Sequence, residues 1–181
     1  DAVNELKPEY VGFVFAKSRR QITKEHAVTL RRYLDPEIQA VGVFVNELPA
    51  IVAGYLEEGV IDLAQLHGNE SEEYIHSLRF RTGGELIKAF SIKTREDVEK
   101  AKKSSADYIL LDHGKGGTGD WSLIRNMDRP YFLAGGLNAE NVEQAILQTH
   151  PFAVDISSGV ETDGVKDPKK ITECIRRIRH V

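Results

Sequence analysis

The chain alternates short apolar runs with longer amphipathic segments. The apolar runs are rich in β-branched and aromatic residues, and we predict a strand in each of seven: YVGFVF (10–15), AVGVFV (40–45), IDLAQL (61–66), ELIKAF (85–90), DYILLD (107–112), PYFLAG (130–135) and FAVDIS (152–157). Their centres recur every 22–30 residues, which indicates a repeated structural unit. Because the runs are continuously apolar, both faces of each strand are expected to be buried, as in a parallel sheet.

The segments between these runs carry helix-start signals. Five of them open with a capping residue followed by acidic residues: Thr23, Asn46, Ser71, Thr94 and Asn138. Such side chains accept hydrogen bonds from the first N–H groups of a helix, and carboxylates nearby complement its dipole. Residues 1–8, DAVNELKP, resemble the end of a helix. The pattern predicts alternating strands and helices in a single domain over residues 1–181.

Polar or glycine residues follow almost every predicted strand at its carboxyl end. A doubly wound sheet would gather such residues at one switch point, whereas a (βα)8 barrel gathers them from all strands around one mouth. We therefore predict an α/β fold of the (βα)8 TIM-barrel class, with seven of eight strands visible. The helix before the first visible strand, together with a start at Asp1 and a sole methionine at Met127, leads us to expect that the first β-strand is absent from this chain.

Composition limits the partners. The formal net charge is −4 and the basic residues are scattered, which argues against a nucleic-acid partner or a membrane surface. The single cysteine, Cys174, excludes an internal disulfide framework and is typical of a reducing compartment. No apolar run approaches the roughly 20 residues of a membrane span, and no signal peptide is visible. These observations predict a cytoplasmic protein.

Two loops predict a phosphate site. The loops after the last two strands of a (βα)8 barrel often bind phosphate through backbone N–H groups. Here they contain LAGGLNAENV, with Gly135 and Gly136, and DISSGVETDG, with Ser157, Ser158 and Gly159. Alternatively, the glycines form only a tight turn and the serines cap a short helix. Their occurrence together after the sixth and seventh strands favours phosphate binding.

An ordered set of segments resembles one known family. The segments are GFVFAKSRR (12–20), VGVFVN (41–46), QLHG (65–68), LLD (110–112) with GGTG (116–119), AGGLNAENV (134–142) and VDISSGVE (154–161), and they resemble phosphoribosylanthranilate isomerase of tryptophan biosynthesis. The resemblance implies an Amadori rearrangement of N-(5′-phosphoribosyl)anthranilate, a small-molecule phosphorylated substrate, into 1-(2-carboxyphenylamino)-1-deoxyribulose 5-phosphate. It implies no cofactor and no metal, and a monomer, with a homodimer as the alternative.

The resemblance also assigns roles to individual residues. Asp112 matches the general acid, and partial desolvation at the end of a buried strand is expected to raise its pKa. A helix cap or an ion pair is the alternative for this aspartate. Arg20 matches a residue that contacts the substrate and would hold its carboxylate, although the adjacent Arg19 and a solvated basic loop are alternatives. His67 and Asp155 match substrate-binding positions, with structural roles at the barrel rim equally open.

The general base of the family is a cysteine in a Lys-Ile-Cys-Gly type motif, which this sequence lacks. Cys174 shares helical spacing with Ile171, Ile175 and Ile178, so we expect it to pack the last helix. The resemblance therefore places the base in the absent first strand.

The glycine-rich residues Gly116, Gly117, Thr118 and Gly119 are expected to form a mobile loop over the substrate. Family members carry a few more residues before the DW at 120–121, so we expect residues to be missing between Gly119 and Asp120.

Two other functions fit parts of the pattern. The histidine-pathway aldose isomerase performs the same chemistry, but it would show a second phosphate loop and a duplicated half-barrel, and the sequence shows neither. A non-catalytic barrel that binds a phosphorylated ligand is favoured only by the missing base.

Overall fold

The computed structural model describes residues 1–114, 121–124 and 127–181. Its strands and helices alternate in the predicted order. The strands are β1 (Tyr10–Val14), β2 (Gln39–Phe44), β3 (Leu63–Leu66), β4 (Glu85–Ser91), β5 (Tyr108–Asp112), β6 (Tyr131–Ala134), β7 (Ala153–Val154), β8 (Glu161–Thr162) and β9 (Val165–Lys166). The helices are α1 (Ala2–Leu6), α2 (Lys24–Tyr33), α3 (Pro49–Glu57), α4 (Glu72–Arg81), α5 (Arg95–Lys102), α6 (Val142–Thr149) and α7 (Pro168–Ile178). Single 3₁₀ turns lie at Trp121–Ile124 and Ser158–Val160.

The chain divides into two compact units. The first comprises Asp1 with residues 3–89 and 104–108, and the second comprises Ala2 with residues 90–103 and 109–181. In the first unit β1, β2, β3 and β4 pair in parallel in chain order. In the second unit β5 pairs with β6 and β6 with β7, again in parallel. Within each unit, the carboxyl ends of the strands therefore lie at the same edge.

The core of the first unit lies between its strands and its helices. Ala64, Leu66 and Leu86 of the strands pack in one cluster with Val52 and Ile75 of the helices. Each of these side chains is fully buried. All four residues of β3 are buried, so both of its faces are covered, which explains why its apolar run is continuous.

The second unit has its own apolar cluster. Ile109, Leu111 and Leu133 of the strands pack with Val98 and Ala101 of α5. In α7 of this unit Cys174 is 2% exposed, and burial raises the pKa of its thiol. The prediction that Cys174 packs inside the fold is confirmed.

Three of the five predicted helix caps are confirmed. The side chains of Thr23, Ser71 and Thr94 accept hydrogen bonds from the backbone N–H groups that open α2, α4 and α5. The prediction for Asn46 is wrong, because α3 begins with Pro49 and Asn46 adopts a positive φ of 51°. The prediction for Asn138 is also wrong.

The loop after β6 explains the second error. The residue that precedes α6 is Asn141, three positions later than predicted. Asn138 forms the turn before it, where its side chain accepts from the N–H of Glu140 and its carbonyl accepts from the N–H of Val142. Asn138 therefore accepts hydrogen bonds within the turn before α6 and does not cap the helix itself.

The segment after β7 differs from the predicted long strand. The run predicted at 152–157 contains a strand of only two residues, followed by the 3₁₀ turn and the antiparallel hairpin of β8 and β9. Asp163 and Gly164 both have positive φ, 51° and 81°, as a two-residue hairpin turn requires. The Asp-Gly pair was the sequence signal for this hairpin.

Candidate active site

Asp112 ends β5 and is held by the strand behind it. The three preceding residues, Ile109, Leu110 and Leu111, are fully buried and anchor the strand. The Asp112 carbonyl accepts from the backbone N–H of Ile92 at 2.9 Å. Its carboxylate Oδ1 accepts from the N–H of Gly114 at 2.7 Å. The side chain is half-buried, so it has a fixed orientation at the carboxyl edge of the second unit.

Gly135 lies against this carboxylate. It follows β6 and has a φ of 100°, which favours glycine. A Cβ atom at this position would lie 2.7 Å from Asp112 Oδ1 and 2.6 Å from the backbone nitrogen of His113. Any larger residue would push the candidate acid out of place. Gly135 therefore has a role beside Asp112 that the sequence did not reveal, since it was predicted only as part of a phosphate loop.

The loop after β6 is fixed by asparagine side chains. Gly136 has a φ of 65°, and its carbonyl accepts from Asn141 Nδ2 at 3.0 Å. The N–H of Asn138 donates to Asn141 Oδ1 at 2.9 Å. Because Asn141 already binds the carbonyl of Gly136, the loop can present its backbone N–H groups to an anion.

The loop after β7 packs tightly on the loop after β6. A Cβ atom on Gly159 would overlap the carbonyl oxygen of Leu137, so only glycine fits there. The carbonyl of Ser157 accepts from Lys166 Nζ at 2.6 Å, and Lys166 also pairs with Glu161 at 3.2 Å. The two predicted phosphate loops are therefore in contact, and an ammonium group lies beside one of them.

Asp155 lies just after β7. Its backbone N–H donates to the carbonyl of Leu133 at 2.8 Å, which extends the pairing of β7 with β6. The side chain is half-buried. The second unit thus carries Asp112, Gly135, Gly136, Asp155 and the 157–159 segment at the carboxyl ends of neighbouring strands, as the sequence predicted.

In the first unit, Arg20 lies in the loop after β1. The N–H of Arg20 donates to Ser18 Oγ at 3.2 Å, and the carbonyl of Ser18 accepts from the N–H of Gln21. Arg20 is half-buried, whereas Arg19 is exposed. Of the two arginines, Arg20 is the less exposed.

His67 follows β3 in the first unit. Its backbone N–H donates to the carbonyl of Phe44 at 2.8 Å, and its ring Nδ1 lies 2.7 Å from Gln65 Oε1. Gln65 is 5% exposed. Residues two apart in a strand share a face, so this buried amide is placed to orient the imidazole ring.

A buried ion pair near His67 was missed by the sequence analysis. Lys88 Nζ lies 3.0 Å from Glu70 Oε2, and the two side chains are 6% and 1% exposed. Burial, with the negative charges of Glu70 and Glu47, raises the pKa of the nearby Tyr74 to about 12. The available signal was a lysine inside the apolar run ELIKAF, where an unpaired charge would be costly.

The remaining sequence predictions concern the glycine-rich loop, metal binding and membrane-spanning helices. The predicted mobile loop, Gly116 to Gly119, lies outside the described residues, and so does the junction of Gly119 with Asp120. Within residues 1–114, 121–124 and 127–181, no group of His, Cys, Asp or Glu is arranged to hold a metal ion. Over the same ranges, no helix is both long and apolar enough to cross a bilayer.

Comparison with known proteins defines the class and then the family. A crystal structure of phosphoribosyl anthranilate isomerase from Thermotoga maritima has a TM-score of 0.90 and 39% identity, covering 99% of this chain and 92% of that one. Another, in complex with reduced 1-(o-carboxyphenylamino)-1-deoxyribulose 5-phosphate, has a TM-score of 0.89 with the same identity and coverage. The fold is therefore that of the (βα)8 barrel enzymes, as predicted.

The sequence matches agree. The N-(5′phosphoribosyl)anthranilate (PRA) isomerase family model matches residues 1–177. The N-(5′-phosphoribosyl)anthranilate isomerase of Thermoanaerobacter pseudethanolicus is 45% identical over 187 residues, covering 98% of this chain and 91% of that protein. The chain belongs to the PRA isomerase family. The predicted function, an isomerase of tryptophan biosynthesis, is confirmed over the histidine-pathway and non-catalytic alternatives.

Proposed function

We propose that Asp112 is the general acid of the PRA isomerase reaction in this protein. Opening the aminofuranose ring needs a proton on the ring oxygen while the anilinic nitrogen forms an iminium. A base then removes the C2′ proton, and the enolamine tautomerises to the ketone. The first of these steps requires an acid in a fixed position.

The position of Asp112 carries this proposal. The apolar residues of β5 anchor the backbone, Gly114 orients the carboxylate at 2.7 Å, and Gly135 closes one side of it. A proton donor held this way needs little reorganisation when substrate binds. Its place at the carboxyl end of a barrel strand is where catalytic groups of this fold class lie.

The phosphate of the substrate is proposed to bind at Gly135, Gly136, Ser157, Ser158 and Gly159. Positive φ at the two glycines after β6 lets the backbone approach an anion closely. The carbonyls of Gly136 and Ser157 accept hydrogen bonds from the side chains of Asn141 and Lys166. These bonds would hold the two loops so that their backbone N–H groups face the ligand. The ammonium of Lys166 adds positive charge at the same loop.

Three other side chains are proposed to contact the rest of the substrate. Arg20 would pair with the anthranilate carboxylate, because a guanidinium binds a carboxylate through two parallel hydrogen bonds. His67, oriented by Gln65, and Asp155 would contact the ribose hydroxyls or the bridging nitrogen.

The general base is proposed to be a cysteine N-terminal to Asp1, in the motif that the family implies. Cys174 is buried in α7 and has a raised thiol pKa, so it does not serve. The proposal further includes a phosphorylated small molecule as the only ligand, a cytoplasmic location and a monomeric state.

Asp112→Asn tests the acid directly. We expect kcat of the full-length protein to fall by about 100-fold or more, because general acid catalysis contributes about 10²- to 10⁴-fold. KM should change little, since the amide has nearly the same size. The measurement is the loss of anthranilate-ring fluorescence from freshly prepared substrate.

Asp128→Asn is the matched control, because Asp128 is exposed in the loop before β6. It removes the same charge and should leave kcat unchanged. Turnover by Asp112→Asn at the wild-type rate would rule out Asp112 as the acid.

A further inference from the structure

We propose that Glu70 and Lys88 form a positioning pair that holds His67 at the active site. The proposal rests on the role of His67 in the proposed function. It concerns a buried ion pair in the first unit that the mechanism itself does not use. The pair acts on the backbone next to His67, and it does not touch the substrate.

Lys88 donates hydrogen bonds to several backbone carbonyl groups around the end of β3. Its Nζ donates to the carbonyls of Leu66 at 3.2 Å, Gly68 at 2.8 Å and Ala89 at 3.1 Å, besides pairing with Glu70. Two of these carbonyls belong to the residues on either side of His67. One ammonium group therefore fixes the backbone both before and after the histidine.

Glu70 accepts hydrogen bonds from backbone N–H groups of the same region. Its carboxylate accepts from the N–H of Gly68 at 2.9 Å and from the N–H of Asn46 at 2.7 Å. The Asn46 side chain in turn accepts from the N–H of Asn69 at 2.8 Å. The loop after β3 is thus tied to the end of β2, and Gly68 is held at both its N–H and its carbonyl.

The space at Gly68 shows how closely the loop is held. A Cβ atom there would lie 2.5 Å from Asn46 Oδ1 and 2.8 Å from Glu70 Oε1. Only glycine lets the carboxylate and the amide approach the backbone to this degree. The residue after His67 is therefore adapted to the polar network and not to an apolar contact.

The pair and Gln65 act on His67 from opposite faces of the strand. Lys88 is the register partner of Leu66, which packs in the apolar cluster with the helices. Gln65 alternates with Leu66 and lies on the other face, where it contacts the ring of His67. Gln65 orients the ring, while the ion pair fixes the peptide units that carry it.

The test replaces both charges together. In Glu70→Gln/Lys88→Met no unpaired charge is left buried, so the variant is designed to fold. We expect its kcat/KM to fall by about 10- to 100-fold, as small displacements of a positioned group do. In a His67→Ala background the same pair of substitutions should change kcat/KM by less than about 2-fold, because the effect acts through His67.

A second readout does not depend on catalysis. The ring nitrogen resonances of His67 should shift by NMR in Glu70→Gln/Lys88→Met relative to the wild type, because displaced peptide units would carry the ring away from Gln65. Unchanged ring resonances would overturn the proposal. If His67→Ala itself keeps full activity, the substrate-binding role of His67 is wrong, and the NMR comparison still decides whether the pair holds the ring.

Two further variants keep the test decisive. Glu70→Asp shortens the acceptor but keeps the charge, and it should give the same NMR signature if the double variant does not fold. Lys7→Met/Glu37→Gln removes an exposed ion pair of 2.7 Å in the same unit, together with the contact of Lys7 with Asp35 at 3.0 Å. This control should change neither kcat/KM nor the His67 resonances.

Discussion

Gly135 and Gly159 shape the candidate site through the side chains that they lack. Gly135 lets the loop after β6 lie against the Asp112 carboxylate, and Gly159 lets the loop after β7 lie against the carbonyl of Leu137. A side chain at either position would also meet backbone atoms, the nitrogens of His113 and Gly114 at Gly135 and the carbonyl oxygen of Leu137 at Gly159, and these cannot move aside as the end of a flexible side chain can. The geometry of the candidate acid and of the two phosphate loops therefore depends on the absence of a side chain at Gly135 and Gly159.

Gly159→Ala should separate the two phosphate loops. The new methyl group would overlap the carbonyl of Leu137, so we expect a loss of about 1–3 kcal/mol in the free energy of unfolding. KM for the substrate should rise by about 10-fold or more as the loops move apart. Urea titration and steady-state kinetics measure the two effects.

Gly83→Ala is the control for this substitution. Gly83 is exposed, and a Cβ atom there meets nothing within 4 Å. Its stability should stay within about 0.5 kcal/mol of the wild type. A wild-type KM for Gly159→Ala would show that close contact of the loops is not needed to bind phosphate.

Helix α5 is the element with the most complete start signal. Thr94 accepts from the N–H of Asp97 at 3.3 Å, and the Asp97 carboxylate accepts from the N–H groups of Thr94 at 2.8 Å and Lys93 at 2.9 Å. These backbone N–H groups, that of Lys93 first, lower the pKa of Asp97 below its usual 3.8. The capping box couples the stability of the helix start to pH.

Asp97→Asn should therefore destabilise the protein in a pH-dependent way. A pKa that is lower in the folded state contributes stability above the unfolded value, and this contribution is lost as pH falls through the folded value. We expect the wild type to be more stable at neutral pH, with the difference shrinking as the pH falls below 3.8. Urea midpoints measured between neutral and acidic pH give the difference.

Glu96→Gln removes the same charge one residue earlier and is the control. The capping box is formed by Thr94 and Asp97, so this substitution should leave the urea midpoint at neutral pH close to that of the wild type. A difference for Asp97→Asn that stays constant into acid would mean that Asp97 acts only through helix geometry and not through its charge.

For the whole molecule, the surface residues bear on the oligomeric state. The most exposed large apolar side chains belong to different elements: Phe80 of α4, Tyr33 of α2, Val165 of β9, Leu48 just before α3 and Leu147 of α6. Apolar residues exposed singly are common on monomers, whereas stable interfaces present a contiguous patch. The formal net charge of −4 also opposes self-association weakly.

We therefore expect one chain per particle in solution. Light scattering coupled to size exclusion should give the mass of a single chain, to which residues 1–181 contribute 20.3 kDa, independently of concentration. Phe80→Ser, which changes the side chain with the highest exposure of that group, 94%, should leave the mass unchanged. A stable mass of two chains would establish the homodimer instead.

Local patterns predicted the order of elements well. The seven apolar runs correspond to β1–β7, and the caps at Thr23, Ser71 and Thr94 are in place because they depend on neighbours three residues away. The cap at Asn46 was wrong because a distant group decides its conformation. Asn46 is held by Glu70 and Asn69, more than twenty residues later.

The amino-acid sequence alone determined the fold class, the strand-end positions of Asp112, His67, Asp155 and the glycine loops, and the family to which they point. These depend on periodicity and on motifs that are local in the chain. Only the tertiary structure decided that Gly135 lies against Asp112 and that Gly159 meets Leu137. It also decided that Lys88 and Glu70 hydrogen-bond to the backbone on either side of His67. Such contacts join residues that are distant in sequence, and strand register and loop packing bring them together.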